Sequence, residues 1–192
     1  MIECELKYML TWQEYARLIS DFSKYTHQDI QVNYYYDTED FKMNKQGITC
    51  RIREKHGKFT ATIKKHGVAE NTSLEKSKQV LNEKDIRFFN VPDLKYQGKL
   101  ETERTYFYAT DECVITVDKN TYLNTVDYEL EVEYKKGCEK SAQKNLFFFL
   151  KVACKTNDEN QLNDFCEKRK HAESKSSRFI KKLLNPDTTC QG

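Results

Sequence analysis

The chain opens on residues that could bind a metal ion and an anion together, since Glu3, Glu5 and Lys7 alternate with apolar residues. Successive side chains of a β-strand point to opposite faces, so these charged groups share one face. Carboxylate oxygens are ligands that Mg²⁺ and Mn²⁺ prefer, and an ammonium group meets an anion as a compact point charge. The segment predicts a strand whose polar face can hold a divalent cation beside a polyanion.

A second acidic strand and a cationic strand repeat this pattern. Glu129, Glu131 and Glu133 alternate with apolar residues, and Arg51 and Arg53 alternate in an earlier segment. One such strand alone would indicate a solvated sheet face. Several strands with dense charge of both signs indicate a closed sheet with a charged interior, in which unpaired charge is costly. For Glu133, nearer its strand end, metal binding and simple solvation remain equally open.

The inward-facing lysine of a further strand is Lys64. It shares the parity of Thr62, whereas Lys65 points to the opposite face. Arginine offers phosphate oxygens a planar fork of donors, and lysine a mobile point charge. We therefore expect Arg51, Arg53 and Lys64 to converge on phosphate groups in one cavity.

The elements that must position these residues are antiparallel strands followed by helices. Alternation, β-branched and aromatic residues, and turn residues predict further strands at 30–37, 48–55, 58–65, 72–81, 100–109, 113–118 and 126–135. Apolar spacing, and a capping box over 11–14, predict helices at 12–25, 141–154, 160–167 and 174–184. Residues 82–97 are interpreted as a short helix and loop. Positions 119–120 are interpreted as a turn.

These elements predict an α+β fold, a closed or nearly closed antiparallel eight-stranded β-barrel that forms a tunnel, with flanking helices. Eight strands leave an interior that side chains or one small ligand can fill. The length of 192 residues fits one domain, 1–192, with C-terminal helices over 141–184 packed on the barrel.

Composition excludes several classes of protein. The net charge of +2 balances 32 basic against 30 acidic residues without a long basic run, so we expect no nucleic acid polymer as partner. The seven cysteines include no C-x-x-C pair, which favours a reduced, cytoplasmic protein. No apolar stretch is long enough for a membrane span. The four histidines form no usable pair, and we expect them at the solvated surface.

The ordered motifs resemble the CYTH superfamily, the triphosphate tunnel metalloenzymes. Besides E-x-E-x-K at 3–7, the matching segments are 34–38 with Phe41, 47–54, 127–133 and the K-x-x-R of 175–178. The resemblance runs in order over roughly residues 1–180. One departure concerns Ser73, which stands where many members carry an arginine two residues before the acid at Glu75. The role of Glu75 is therefore left open.

The residue pattern and the resemblance together assign three sets of site residues. The metal ligands are Glu3, Glu5, Glu129, Glu131, Glu133 and Asp118, and the expected ion is Mg²⁺ or Mn²⁺. The phosphate ligands are Lys7, Arg51, Arg53, Lys64, Arg104, Lys175 and Arg178. The catalytic set is Lys64, Glu3, Glu5 and Glu131. Some of these residues keep alternatives. Lys7 could brace the glutamates instead, and Asp118, expected at a strand end, could cap a turn. Arg104 and Lys175, which are placed by the resemblance, could form surface salt bridges.

The resemblance implies a metal-dependent hydrolase of triphosphates, with in-line attack of activated water on the terminal phosphoryl group. The substrate would be tripolyphosphate or an organic triphosphate. A class IV adenylate cyclase, which makes cyclic AMP from ATP, is the alternative, and a non-catalytic polyphosphate or nucleotide sensor is the third. The expected partner is a small triphosphate-containing molecule, with no membrane involved. A homodimer remains open.

Overall fold

Antiparallel strands close into a barrel around a tunnel. The structure is a computed structural model that describes residues 2–22, 27–69, 71–169 and 172–186. The strands are β1 (Ile2–Leu10), β2 (His27–Asp37), β3 (Ile48–Lys55), β4 (Lys58–Ala69), β5 (Thr72–Val80), β6 (Lys95–Ala109), β7 (Cys113–Tyr122) and β8 (Thr125–Tyr134). Their order around the barrel is β1-β5-β4-β3-β2-β6-β7-β8. The predicted α+β fold with a closed eight-stranded barrel is confirmed.

In the part of the chain that the structure describes, five α-helices accompany the barrel: α1 (Trp12–Phe22), α2 (Lys42–Lys45), α3 (Glu139–Cys154), α4 (Glu159–Arg169) and α5 (Lys175–Leu184). The predicted capping box begins α1. Thr11 Oγ1 accepts from the Glu14 amide at 3.3 Å, and the Glu14 carboxylate accepts from the Thr11 amide at 2.7 Å. Residues 23–25 of the predicted first helix lie outside the described residues. Of the helices just given, none combines the length and apolar character that a bilayer crossing requires.

The apolar core lies outside the barrel rather than inside it. Leu130 and Val132 of β8 are fully buried on the outer face, where they share a cluster with Leu146 and Leu150 of α3. Burying such a side chain stabilises the fold by about 1.5–3 kcal/mol. Because α1, α3 and α4 cover this face, the cluster stabilises the barrel from outside and leaves much of the interior for polar groups.

Strand β7 runs further than the sequence predicts. Lys119 and Asn120, predicted as a turn, pair with β8 instead. The turn is made by Leu123 and Asn124, whose φ angles are 45° and 58°. Asn124 is a common turn residue, but leucine rarely adopts positive φ, so the sequence signals this turn only weakly. The prediction that Asp118 ends a strand is therefore wrong, because it lies within β7.

Helix α5 packs against one end of the barrel. Its Phe179 is fully buried, with ring centroids of Tyr35 and Tyr122 at 5.1 and 6.1 Å. Gly98 makes room for this ring: its φ is 140°, and a Cβ there would lie 2.6 Å from Phe179 Cζ. The first turn of α5 consequently reaches the tunnel.

Candidate active site

One cavity of about 400 Å³ occupies the tunnel. Of the residues that the sequence predicts for the site, those lining it are Glu3, Glu5, Lys7, Arg51, Arg53, Lys64, Arg104, Glu131, Glu133 and Lys175. Asp118 and Glu129 lie behind this lining, both at 0% exposure, and Arg178 binds Glu129 from α5. The structure thus brings the predicted side chains together. Their roles in binding and catalysis stay predictions.

The acidic end of β1 is bridged to β4 by Lys64. Its Nζ lies 2.6 Å from Glu3 Oε2 and 3.4 Å from Glu5 Oε1. Ser73, at the position where the resemblance leads one to expect arginine, donates to Glu3 Oε2 at 3.3 Å. A neutral hydroxyl at this position leaves Lys64 as the cation nearest to Glu3, and the parity rule that selected Lys64 over Lys65 agrees with its burial in the tunnel.

The two arginines of β3 carry positive charge that the protein does not fully match. Arg53 Nε donates to Asn33 Oδ1 at 2.9 Å, and no carboxylate of the described residues lies within 4 Å of its guanidinium. Burial, and then the charges of Arg51 and Arg104, lower the pKa of Arg53 to about 10. Arg51 Nη2 lies 3.9 Å from Glu75 Oε2, at the outer limit of an ion pair.

Two hydrogen-bond donors on this side of the tunnel, one of them on Arg51 itself, are not paired within the described residues. Arg51 Nε and Tyr35 Oη are buried and have no hydrogen-bond partner among the described residues. An unmade hydrogen bond to a buried donor costs free energy, and the cost is largest for a charged one. Because both groups line the cavity, this side of the tunnel is suited to bind an anion.

Negative charge is concentrated on the opposite wall. Glu5 of β1 pairs directly with Glu133 of β8, and like charges facing each other across strands are destabilising. Desolvation and the charge of Glu131 raise the pKa of Glu133, with Glu3 and Glu5 contributing, while Arg104 opposes the shift. Glu3, Glu5 and Glu133 are hard oxygen donors whose repulsion a bound divalent cation would relieve, although their oxygens do not all lie within 4.8 Å of one another.

A second acidic group is already neutralised by the protein itself. Carboxylate oxygens of Asp118, Glu129 and Glu131 lie within 4.8 Å of one another. Lys175 Nζ is 2.8 Å from Asp118 Oδ2 and 2.9 Å from Glu131 Oε1, and it also contacts Glu129. Burial alone would lower the pKa of Lys175, but the three carboxylates raise it. The lysine is therefore a protonated ammonium.

Arginines complete the pairing of this second group. Arg104 binds Asp118 through two bonds, Nε to Oδ1 at 2.8 Å and Nη2 to Oδ2 at 2.7 Å, and also contacts Glu131. Arg178 Nε donates to Asp127 Oδ2 at 2.9 Å, and its Nη2 contacts Glu129. Bidentate arginine–carboxylate pairs of this kind fix orientation as well as charge.

His66 is a cavity residue that the sequence analysis missed. It was expected at the solvated surface, yet it lines the tunnel and its Nε2 is 3.0 Å from Thr49 Oγ1. Burial, and next the charge of Lys64, lower the pKa of His66 to about 4. The ring is therefore neutral near pH 7. Its parity on β4, two residues beyond Lys64, was the signal that could have found it.

A closed antiparallel barrel with ionic groups inside and apolar residues outside defines a protein with an ionic tunnel. The chain belongs to the CYTH family, because the family model of the CYTH domain matches residues 1–151.

Named relatives agree with this membership. The Bacillus subtilis (strain 168) protein "Putative triphosphatase YjbK" is 33% identical over 150 residues, which cover 69% of this chain and 77% of that protein. A crystal structure described as a "putative adenylate cyclase (bh2851)" from Bacillus halodurans has a TM-score of 0.68 at 25% identity, over 93% of this chain and 97% of that chain. "Putative adenylyl cyclase HpAC1" from Hippeastrum shares the fold, with a TM-score of 0.63 at 17% identity over 94% and 95% of the two chains.

Proposed function

We propose that this protein is a metal-dependent hydrolase of triphosphates, acting on tripolyphosphate or an organic triphosphate. The observation that carries the proposal is the separation of charge across one cavity. Arg51 and Arg53 lack full carboxylate pairing on one wall, while Glu5 and Glu133 face each other on another. A chain of phosphates with a bound cation complements both walls. The name of the Bacillus subtilis relative, a triphosphatase, supports the same activity.

In this proposal the arginines bind and orient the phosphate chain. Arg51 Nε and Tyr35 Oη supply donors that are otherwise unused, and Arg53 supplies a guanidinium free of carboxylate partners among the described residues. Lys64 shifts from Glu3 and Glu5 toward the transferring phosphoryl group, whose spreading charge it stabilises. Lys7 balances the charge of Glu131, which lies 3.2 Å away.

The carboxylates of Glu3, Glu5 and Glu133 would hold the metal. When bound, Mg²⁺ or Mn²⁺ supplies Lewis-acid stabilisation of phosphate charge and eases deprotonation of water. The protein orients the terminal phosphoryl group for in-line attack by holding the remaining phosphates on the arginine wall. Neutral His66 adds an uncharged hydrogen-bonding group beside Lys64 and therefore does not repel the cation.

A substrate panel tests the proposal. Tripolyphosphate, ATP and thiamine triphosphate are each incubated with Mg²⁺ or Mn²⁺, and orthophosphate, pyrophosphate and cyclic AMP are measured. We expect metal-dependent orthophosphate release that Lys64→Ala abolishes and Lys65→Ala leaves intact, since Lys65 is exposed on the outer face of the same strand. Binding of tripolyphosphate without turnover of any triphosphate would overturn the enzyme assignment and favour a sensor.

An adenylate cyclase is the second candidate. The observation in its favour is the name given to the Bacillus halodurans protein, whose structure matches over most of both chains. A cyclase would use the same carboxylates and arginines, but the ribose hydroxyl would attack the α-phosphate. Conversion of ATP to cyclic AMP and pyrophosphate, with tripolyphosphate inert, would favour this reaction over hydrolysis.

A further inference from the structure

Three neutral polar side chains follow one another on the inward face of β2. Gln31 and Asn33 have the parity of Tyr35, which lines the tunnel, and all three are at most 2% exposed. Each carries a buried donor without a hydrogen-bond partner among the described residues: Gln31 Nε2, Asn33 Nδ2 and Tyr35 Oη. An unmade hydrogen bond to a buried donor costs free energy, so the stability of the barrel alone does not explain this row.

The arginines of the neighbouring strand β3 meet these neutral groups in register. Asn33 pairs with Arg53 across the two strands, and Tyr35 pairs with Arg51. Asn33 Oδ1 accepts from Arg53 Nε at 2.9 Å. This bond fixes the orientation of the amide, because a flipped amide would set its own donors against the guanidinium. The amide thus holds the guanidinium in place without cancelling its charge.

Lys55, on the same face of β3, has a different kind of partner. Its Nζ lies 2.6 Å from Asp29 Oδ2, so β2 neutralises this ammonium with a carboxylate. A carboxylate would also stabilise the buried guanidinium of Arg53, since an uncompensated buried charge is destabilising. Asparagine has nearly the size and shape of aspartate, yet it supplies no negative charge. The neutral residue at position 33 is therefore the less stabilising partner for Arg53.

We propose that Asn33 is a positioning residue for the phosphate chain: it orients Arg53 through a neutral hydrogen bond, so that the guanidinium keeps its charge for the anion. A carboxylate at this position would bind the same donor and cancel the charge, and an anion would then have to compete with it. The inference deepens the proposed function and rests on its phosphate site, but the readout requires neither metal nor turnover.

Calorimetric titration with tripolyphosphate, in the absence of divalent metal, tests the role of Asn33. Asn33→Asp should lower the affinity by about tenfold or more and should raise the Tm, because the new carboxylate pairs with Arg53. A purely structural role of Asn33 would change stability and affinity in the same direction, whereas the proposal requires opposite changes. An unchanged affinity in folded Asn33→Asp would overturn it.

A double-mutant cycle tests whether Asn33 acts through Arg53. In the Arg53→Gln background, Asn33→Asp should change the remaining affinity by less than about threefold, because no guanidinium is left to neutralise. An equal loss of affinity in both backgrounds would show that position 33 acts independently of Arg53, and the proposal would be wrong.

Gln31→Glu is the matched control, because it introduces the same charge at the next inward position of β2. Gln31 pairs with Lys55, whose ammonium already binds Asp29, so the added carboxylate meets no unmatched guanidinium. The control should lower the Tm, since it buries an unpaired charge, and should change the affinity by less than about threefold. An equal loss of affinity in Gln31→Glu and Asn33→Asp would reveal a general effect of charge and overturn the proposal.

Asn33→Thr decides the case if Asn33→Asp does not fold. Threonine also offers Arg53 a neutral acceptor, so the affinity should stay within about threefold of the wild type. A loss of about tenfold or more would contradict the role of a neutral partner. A wild type that binds no tripolyphosphate would overturn the proposed function as well, whereas equal binding by wild type and Asn33→Asp overturns this inference alone.

Discussion

Lys64 Nζ lies 2.6 Å from Glu3 Oε2, although β5 separates their two strands in the barrel. The ion pair therefore crosses the interior instead of following the sheet. Any anion that binds Lys64 competes with Glu3 for it, and any cation that binds Glu3 competes with Lys64. Binding of a metal and a phosphate chain together satisfies both groups at once, which predicts that each ligand strengthens the binding of the other.

Glu3→Gln should abolish turnover while leaving the fold intact. The change removes a charged metal ligand and relieves carboxylate repulsion in the tunnel, so the free energy of unfolding should not fall. Orthophosphate release with Mn²⁺ and near-ultraviolet circular dichroism measure the two effects. Glu101→Gln, an exposed acid of β6, is the control and should retain activity. Near wild-type turnover in purified Glu3→Gln would exclude Glu3 as a ligand.

Arg53→Gln should weaken catalysis while stabilising the protein. Loss of one electrostatic donor to the transferring group lowers kcat by about 100-fold. Removal of a buried guanidinium repelled by Arg51 and Arg104 should raise the free energy of unfolding by about 1 kcal/mol. Kinetics and urea denaturation measure both effects. Arg87→Gln, exposed and paired with Asp85, should change neither. Lower stability in Arg53→Gln would contradict the repulsion argument.

Tripolyphosphate with a divalent metal should stabilise the protein against unfolding. At a hundredfold excess over Kd the gain is about 2.7 kcal/mol, which thermal unfolding detects as a raised Tm. Arg51→Gln should remove most of this gain, because its guanidinium is an incompletely paired donor of the cavity. An equal rise in Tm in the wild type and in Arg51→Gln would show that tripolyphosphate does not bind at Arg51.

The free energy of unfolding should decrease at acidic pH, because protonation of His66 favours the unfolded chain. Its pKa is lowered from 6.5 to about 4 in the folded state, so the unfolded chain takes up a proton that the folded chain excludes. The contribution is present above pH 6.5 and is lost as the pH falls toward 4, by at most about 3 kcal/mol.

Denaturation of His66→Gln at pH 7.5 and pH 4.5 checks this pH dependence. The variant should lose less stability than the wild type between the two values, because it has no imidazole to protonate. Lys65→Gln, which changes an exposed residue of the same strand, should follow the wild-type curve. An equal loss of stability between pH 7.5 and pH 4.5 in His66→Gln and in the wild type would show that this ring does not cause the loss.

Gly98→Ala should displace α5. A methyl group there would lie 2.6 Å from Phe179 Cζ, and its φ of 140° is itself unfavourable for alanine. Gly57→Ala is a matched control, since Gly57 also has positive φ but no atom within 4 Å of the added Cβ. The control should cost about 1 kcal/mol and Gly98→Ala clearly more, measured by urea denaturation. Equal costs would mean that α5 packs loosely.

The sequence predicted which side chains enter the tunnel wherever alternation decided the outcome. Lys64 rather than Lys65 follows from the strand period alone, and the same rule applied to His66 would have found it. Asp118 was misjudged because the turn after β7 contains Leu123, a residue that rarely adopts positive φ. The alternation of residues shows which face of a strand each side chain occupies. It does not show where a strand ends when the turn contains a residue, such as Leu123, that rarely occurs in turns.

The alternation pattern could not predict contacts between side chains that are far apart in the sequence. Lys175 and Glu129 are 46 residues apart, and their contact depends on how α5 packs against the barrel end. A lysine near predicted phosphate ligands suggests phosphate binding, whereas the structure surrounds it with carboxylates. The cytoplasmic location, the homodimer and the organisation as one domain over 1–192 stay predictions.

Along β8, neighbouring residues serve different purposes. Glu129 and Glu131 point into the tunnel, whereas Leu130 and Val132 hold the barrel to its helices. Selection on stability and selection on ligand choice therefore act on alternate positions of one strand. A lineage could exchange the inner residues for a new anion while the outer residues keep the fold. The same separation makes the charged lining of β1 and β8 a suitable target for directed evolution, because the outer cluster of Leu130 and Val132 does not depend on it.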